Sequence, residues 1–253
     1  MAWDPAQYLR FAGPRLRPAL DLLARIDAEN PALVYDLGAG HRAARLVGVD
    51  DSAEMLDKAA TEIPGIATEP RPDIRWQKAD LAAWRPERPA DIVYSNAALH
   101  WLGAHDRLFL GLFAALAPNG VLAVQMPRNF AAPSHTLMTE TAASGPWRHR
   151  LVPLLRPAPV AAPDFYYDLL APRAAALDIW ETEYLQVLEG ENPVKEWTKG
   201  TWLGPLLAAL DEPERSRFEA AYAERIAAAY PRRADGRTLF PFRRLFIIAR
   251  APG

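Results

Sequence analysis

Leu33-Val34-Tyr35-Asp36-Leu37-Gly38-Ala39-Gly40 is a short apolar run that ends in an acid and then in two glycines one residue apart. A run of this length bounded by glycine suits a strand covered on both faces of a parallel sheet. The glycines let the backbone turn tightly beneath a ligand with no Cβ in the way, so a cofactor is expected at this turn.

Working outward, Arg45 to Val49 reads as a second strand closing on Asp50 and Asp51. Ser52 then offers an N-cap to a helix through Ala60. Ile74 to Lys78 reads as a third strand leading to Asp80, and Ala90 to Ser95 as a fourth. Residues 106–116 have helical periodicity, and Pro118-Asn119-Gly120 turns the chain into a fifth strand at Val121 to Met126. Strands alternating with helices predict an α/β fold, a doubly wound Rossmann-like parallel sheet with its ligand at the C-terminal ends of the strands. One place departs from the pattern. A parallel crossover takes a dozen or more residues, usually with a helix, yet only His41 to Ala44 separate Gly40 from the second strand. Either a crossover helix has been deleted here or a segment is missing; the second is the expectation, and it predicts a physical break between Gly40 and Arg45.

Beyond Met126 the character changes. Pro127 to Pro163 is proline-rich with a helix in Ser134 to Ala143, and Phe165 to Leu170 forms another short helix. Leu177 to Leu188 and Leu239 to Ala251 read as strands that pair antiparallel at one edge. Between them, Val194 to Tyr230 is helical. Upstream of the opening run, Tyr8 to Arg25 reads as one or two helices broken by Pro14 and Pro18. The expected organisation is an N-terminal helical segment (1–30), a cofactor-binding core (31–130), and a third part (131–253) holding cap helices and the last two strands, with 188–237 mainly helical.

Composition narrows the function. Half of the 253 residues are hydrophobic, enough for a substantial core. With 29 basic and 31 acidic residues intermixed, the net charge of −2 gives no general pull toward nucleic acid or anionic membrane. Cysteine is absent and the five histidines are scattered, so no metal site is expected. No stretch reads as a membrane span or leader, which makes a cytoplasmic protein the expectation. Oligomeric state has no signature in the sequence.

Gly-x-Gly alone fits nicotinamide, flavin and S-adenosylmethionine sites alike. A dinucleotide fingerprint needs a third glycine three residues on, where Ala43 stands. Asp50 says more, because an acid after the second strand can bind a ribose diol through two hydrogen bonds. His100 and Trp101 follow the fourth strand at the mouth of the expected pocket. Gln125, Asn129, Tyr166, Tyr167, Trp197, Thr201 and Trp202 offer neutral donors and walls, and Arg128, Arg243 and Arg244 offer cations. Neighbouring arginines on a strand face opposite ways, so only one of the last pair points inward, with Arg244 favoured.

Asp36-Leu-Gly-Ala-Gly40, Gly48-Val-Asp-Asp-Ser52, Ala79-Asp-Leu81 and Tyr94-Ser-Asn-Ala-Ala-Leu-His-Trp101 occur in the order of a class I S-adenosylmethionine-dependent methyltransferase. From Trp3-Asp-Pro5 through Val124-Gln-Met-Pro127 to Phe240-Pro-Phe-Arg-Arg-Leu-Phe246, the whole chain resembles the trans-aconitate methyltransferase family. The resemblance implies a seven-stranded sheet with an antiparallel last strand and a helical cap. It implies methyl transfer from S-adenosylmethionine to a carboxylate of a small polycarboxylic acid. Gly38 and Gly40 would lie under the amino-acid part of the cofactor, Asp50 would hold its ribose, and Met55 would pack near its adenine. Asp80 would accept from the adenine amino group with the Leu81 amide nearby, and Ser95 and Asn96 would line the floor. Asp36 and Asp51 belong to the same motifs. A carboxylate is already ionised at neutral pH, so no catalytic acid or base is expected; proximity and orientation do the work. Two alternatives stand beside this: an NAD-type oxidoreductase on a similar sheet, and a non-catalytic S-adenosylmethionine-binding protein.

Overall fold

The computed structural model describes residues 12–28, 31–37, 45–62 and 73–253. Its strands fall on the stretches read as strands. β1 (Leu33–Asp36), β2 (Arg45–Asp50), β3 (Asp73–Lys78), β4 (Ala90–Asn96) and β5 (Leu116–Pro127) pair in parallel. β1 is buried at all four positions and β5 from Val121 to Met126, as expected where helices cover both faces of a sheet. With β6 (Ala176–Leu188) and β7 (Thr238–Arg250), the described residues form a seven-stranded sheet of order β3-β2-β1-β4-β5-β7-β6.

The last two strands are antiparallel. The Asn119 amide donates to Pro252 and the Ala251 amide to Gly120, so β5 and β7 run in opposite senses. β6 lies at the edge and alternates exposed with buried residues from Glu183 to Leu188, the pattern of a strand with one solvated face. The chain builds outward from β1 to β3 and then returns to place β4 on the other flank of β1. The strand order therefore reverses between β1 and β4.

The helices are α1 (Ala12–Leu23), α2 (Ala53–Glu62), α3 (His105–Phe113), α4 (Pro133–Ser144), α5 (Arg148–Leu151), α6 (Pro163–Leu170), α7 (Pro193–Lys199), α8 (Leu203–Ala208) and α9 (Glu214–Ala229). α4, α6 and α7 open on a proline, whose fixed φ suits a first turn and whose missing N–H has no partner to lose there. Ser52 caps α2 as expected: its Oγ accepts the Met55 amide at 3.3 Å.

Two expectations are corrected. The helix before β5 ends at Phe113, and β5 begins at Leu116, so Pro118-Asn119-Gly120 lies inside a strand rather than ahead of one. The register against β4 shifts there, between Ala90 and Ile92, with Asn119 at φ +62°. A Cβ on Gly120 would stand 2.7 Å from the Ala90 carbonyl and 2.8 Å from that of Ala117, so only glycine permits this close approach. α5 and the 3₁₀ turn Val152–Leu154 fall in a proline-rich stretch where no helix was expected. The break predicted between Gly40 and Arg45 lies outside the described residues.

Cα proximity divides the chain into two compact units. The sheet unit comprises Pro18–Pro127, Pro159–Thr182 and Leu245–Gly253, with a core that includes Val34, Leu46, Val93, Phe109, Leu122 and Phe246. The helical unit comprises Met1–Arg17 (described from Ala12), Arg128–Ala158 and Glu183–Arg244. Its core is aromatic, built on Trp147, Trp197, Phe218, Tyr222, Phe240 and Phe242. Among the described residues no helix is long and apolar enough to cross a membrane.

Candidate active site

The C-terminal ends of β1 and β4, where the strand order reverses, carry Asp36, Ser95 and Asn96. Open α/β sheets take their ligands at such a point. Asp36 is fully buried and in register with Tyr94; burial, and then the Asp36 charge, hold the Tyr94 hydroxyl well above its usual range. Ser95 Oγ donates to the Leu37 carbonyl at 3.3 Å, and the Leu37 amide donates to Tyr94 at 2.8 Å. These bonds pin Leu37, the residue just before Gly38. Asn96 pairs with the fully buried Gln125, and its own side-chain oxygen is buried with no hydrogen-bond partner among the described residues.

At the end of β2, Asp50 Oδ1 accepts the Ser52 amide at 2.8 Å. Burial raises the Asp50 pKa, the Ser52 amide partly opposes this, and the Asp51 charge adds to it. Asp51 itself is exposed and Met55 half-buried. Asp80 is exposed after β3, and its Oδ1 accepts the Ala82 amide at 2.9 Å, closing a turn that half-buries Leu81. Gly38 and Gly40 lie outside the described residues. His100 and Trp101 share the 3₁₀ turn Leu99–Trp101 beyond β4, their ring centroids 4.6 Å apart, the first buried and the second 43% exposed. Tyr166 and Tyr167 are neighbours on α6 and so diverge: Tyr166 is wholly buried with its hydroxyl engaged by His105 and Ala161, whereas Tyr167 is exposed.

In the helical unit, the half-buried Arg128 donates its amide to the Arg243 carbonyl at 2.9 Å. The alternation expected on β7 is realised. Arg243 is exposed and lies 3.7 Å from Glu183, while Arg244 is 3% exposed with its guanidinium carbon 5.0 Å from the Phe242 ring centre. Trp197 is buried on the same Phe242, at 5.5 Å. Thr201 Oγ1 donates to Thr198 at 3.2 Å, and Trp202 packs edge-on against Phe130.

A family model described as "Methyltransferase domain" matches residues 26–122. A protein of Azoarcus sp. (strain BH72) named trans-aconitate 2-methyltransferase is 47% identical over 258 aligned positions, covering 98% of both chains. The chain belongs to the trans-aconitate 2-methyltransferase family. A second relative of that name, from Methylobacterium radiotolerans, is 42% identical over 268 positions, again 98% of each chain. Both alignments are longer than this 253-residue chain, so each relative carries residues with no counterpart here. The fold of this family member is also that of solved methyltransferases. A putative methyltransferase from Bacillus halodurans superposes with TM-score 0.55 at 14% identity over 92% of this chain and 98% of its own. The YcgJ protein of Bacillus subtilis gives TM-score 0.58 at 12% identity over 93% and 97%.

This family member also contains polar residues that no sequence pattern singled out. Ser134 sits in a buried network: its amide donates to Tyr230 at 3.2 Å, its carbonyl accepts from Tyr222 at 2.7 Å, and Asn129 Nδ2 donates to its Oγ at 3.3 Å. Asn129 Oδ1 in turn accepts the Arg243 amide at 3.2 Å, tying the start of α4 to β7. His105 is equally hidden from sequence reading, because a lone histidine in a helix has no periodic signal. Among the described residues no cluster of three or more potential metal ligands occurs. A cavity of about 550 Å³ opens at the N-terminal ends of the strands, lined by Ala32, Leu33, Arg45, Asp73, Arg88, Pro89 and Asp91. Two of its acids are already engaged, Asp73 by Arg45 and Asp91 by the Ala32 and Leu33 amides, and it lies at the opposite strand ends from Asp36 and Asn96.

Proposed function

We propose that this protein transfers the methyl group of S-adenosylmethionine to one carboxylate of trans-aconitate, giving a monomethyl ester. The observation that carries the reading is the 47% identity to the Azoarcus trans-aconitate 2-methyltransferase across 98% of both chains. Family membership decides against the nicotinamide alternative. A cytoplasmic location, without nucleic-acid or membrane partners, is part of the same proposal.

The sheet unit fits the cofactor. Acids end adjacent strands at Asp36 and Asp50, and the buried Asn96 oxygen calls for a donor that the described residues do not supply. When bound, S-adenosylmethionine supplies an electrophilic methyl group on a sulfonium. Asp50 would hold the ribose, Met55, Asp80 and Leu81 the adenine, and Ser95 and Asn96 the floor, with Gly38 and Gly40 under the amino-acid part.

The acid needs no proton removed, because a carboxylate is ionised at neutral pH. The task of the chain is to hold one carboxylate oxygen roughly 3 Å from the methyl group, away from water. We assign Arg244 to the carboxylates that do not react. It is buried, permanently charged and forked to match a carboxylate, and it lies over the Phe242 ring. Arg128, His100, Trp101 and Gln125 are the further substrate residues of this reading.

The test is methyl transfer from labelled cofactor to trans-aconitate, citrate and isocitrate, with the ester identified by mass spectrometry. Turnover of trans-aconitate is expected. Arg244→Ala should raise its KM by about tenfold or more while calorimetric affinity for the cofactor stays unchanged. An equal loss of both would remove Arg244 from the substrate site. Cofactor binding with no turnover across the panel would favour the non-catalytic alternative.

A further inference from the structure

We propose that His105 is a positioning residue: through the Leu99 carbonyl it braces the turn that carries His100 and Trp101, and so sets how that turn meets the acid. The proposal rests on the reading that these two residues contact the substrate.

The turn needs a brace. It is flanked by two alanines in the left-handed region, Ala97 at φ +54° and Ala104 at φ +51°. Residues with a Cβ adopt that conformation at a cost and persist there only when their surroundings over-determine them. Local capping does not do this, since neither Ala98 before the turn nor Ala104 before α3 provides a side-chain cap.

The structure supplies the hold from a distance. The Leu99 carbonyl accepts the Leu102 amide at 3.0 Å and is also met by His105 Nε2 at 3.1 Å. A carbonyl only accepts, so Nε2 carries the proton. In the neutral ring Nδ1 is then an acceptor, and it receives the Tyr166 hydroxyl at 2.6 Å. Tyr166 oxygen accepts the Ala161 amide at 3.2 Å. Donors thus run in one direction, from Ala161 through Tyr166 and His105 to Leu99, and each bond polarises the next. The ring packs beside Phe109 at 5.4 Å and Tyr166 at 5.9 Å. Burial there lowers the His105 pKa, although the Leu99 and Leu102 carbonyls and Asp106 partly counter it, and the neutral form that this chain requires is favoured.

The mechanical consequence is direct. α6 and α3 are joined to the turn by a chain of buried hydrogen bonds ending one residue before His100, whose ring lies against Trp101. A reaction that depends on proximity is sensitive to such placement.

Two substitutions separate the bonds. Glutamine sets an amide nitrogen near the place of Nε2 and keeps the bond to Leu99; asparagine sets its oxygen near Nδ1 and keeps only Tyr166. We expect His105→Asn to raise the KM for trans-aconitate about tenfold with cofactor affinity unchanged, and His105→Gln to stay within about twofold of the parent. The Leu102 amide resonance should move in the first variant and not in the second. Should His105→Asn fail to fold, Tyr166→Phe, which removes the donor to Nδ1 together with the acceptor of the Ala161 amide and leaves Nε2 on Leu99, is expected to raise the same KM by about threefold. Equal losses in the Asn and Gln variants, or losses that fall equally on cofactor affinity, would overturn the proposal. Trp101→Ala distinguishes the two readings. If it leaves the KM for the acid unchanged while the parent turns the acid over, this proposal fails and the transferase reading stands. If the parent methylates none of the acids, the transferase reading itself fails and this proposal goes with it.

Discussion

Asp50 is a residue at which burial works against charge, and this separates what it does for the fold from what it does for a ligand. Its folded pKa is raised, so the native state holds the proton more tightly than the unfolded chain. The stability it contributes is full below the unfolded carboxylate pKa and is lost as pH rises through the raised folded value. At neutral pH the ionised side chain is therefore a slight liability to the fold. Asp50→Asn should leave the melting temperature equal or slightly higher, yet weaken S-adenosylmethionine binding about tenfold, as calorimetry and thermal melts on one sample would show. A fall in both would make Asp50 a structural acid. Asp50 was legible as a candidate because an acid after the second strand has a chemical use. Arg244 was legible through the two-residue period of a strand. His105 was not, since its partners Leu99 and Tyr166 lie 6 and 61 residues away and no local pattern links them.

At the scale of elements, apolar runs and β-forming residues marked every strand but misjudged where β5 begins. Pro118-Asn119-Gly120 has the composition of a free turn, and nothing local says otherwise. What draws it into the sheet is β7, through the Asn119 amide on Pro252 and the Ala251 amide on Gly120. Gly120→Ala tests that account. The added Cβ meets two backbone carbonyls rather than a side chain that could swing aside, so the strand or its register must shift. We expect a loss of about 1–3 kcal/mol in urea unfolding; a neutral substitution would show that the strand yields easily there.

For the molecule as a whole, acid sensitivity is expected from histidines shielded from water as well as from its carboxylates. His135 packs against both Phe130 and Trp202, bonds Ser134 Oγ through Nδ1 at 3.0 Å, and is pushed down by burial from 6.5 to about 4. His105 shifts in the same direction. A lowered histidine pKa means that the unfolded chain takes up the proton first. The stability is therefore present above the unfolded value and is lost as pH falls from about 6.5 toward 4. Unfolding free energies at pH 7.5 and 5 should differ by about 1–3 kcal/mol more in the parent than in His135→Gln. Equal differences would show that His135 titrates freely in the folded protein.

The sequence by itself determined the α/β class, the succession of strands, the acids at strand ends and the parity that sets Arg243 against Arg244. These follow from short-range rules: period two in strands, apolar continuity where both faces are covered, capping at helix starts. Only the tertiary structure decided which of Tyr166 and Tyr167 is buried, that Gly120 presses on Ala90, that Ser134 is shared by Asn129, Tyr222 and Tyr230, and that His105 reaches Leu99. Each of those depends on residues far apart in the chain being brought within hydrogen-bonding or van der Waals range, where burial gives a polar atom its need for a partner and the fold decides which partner is near.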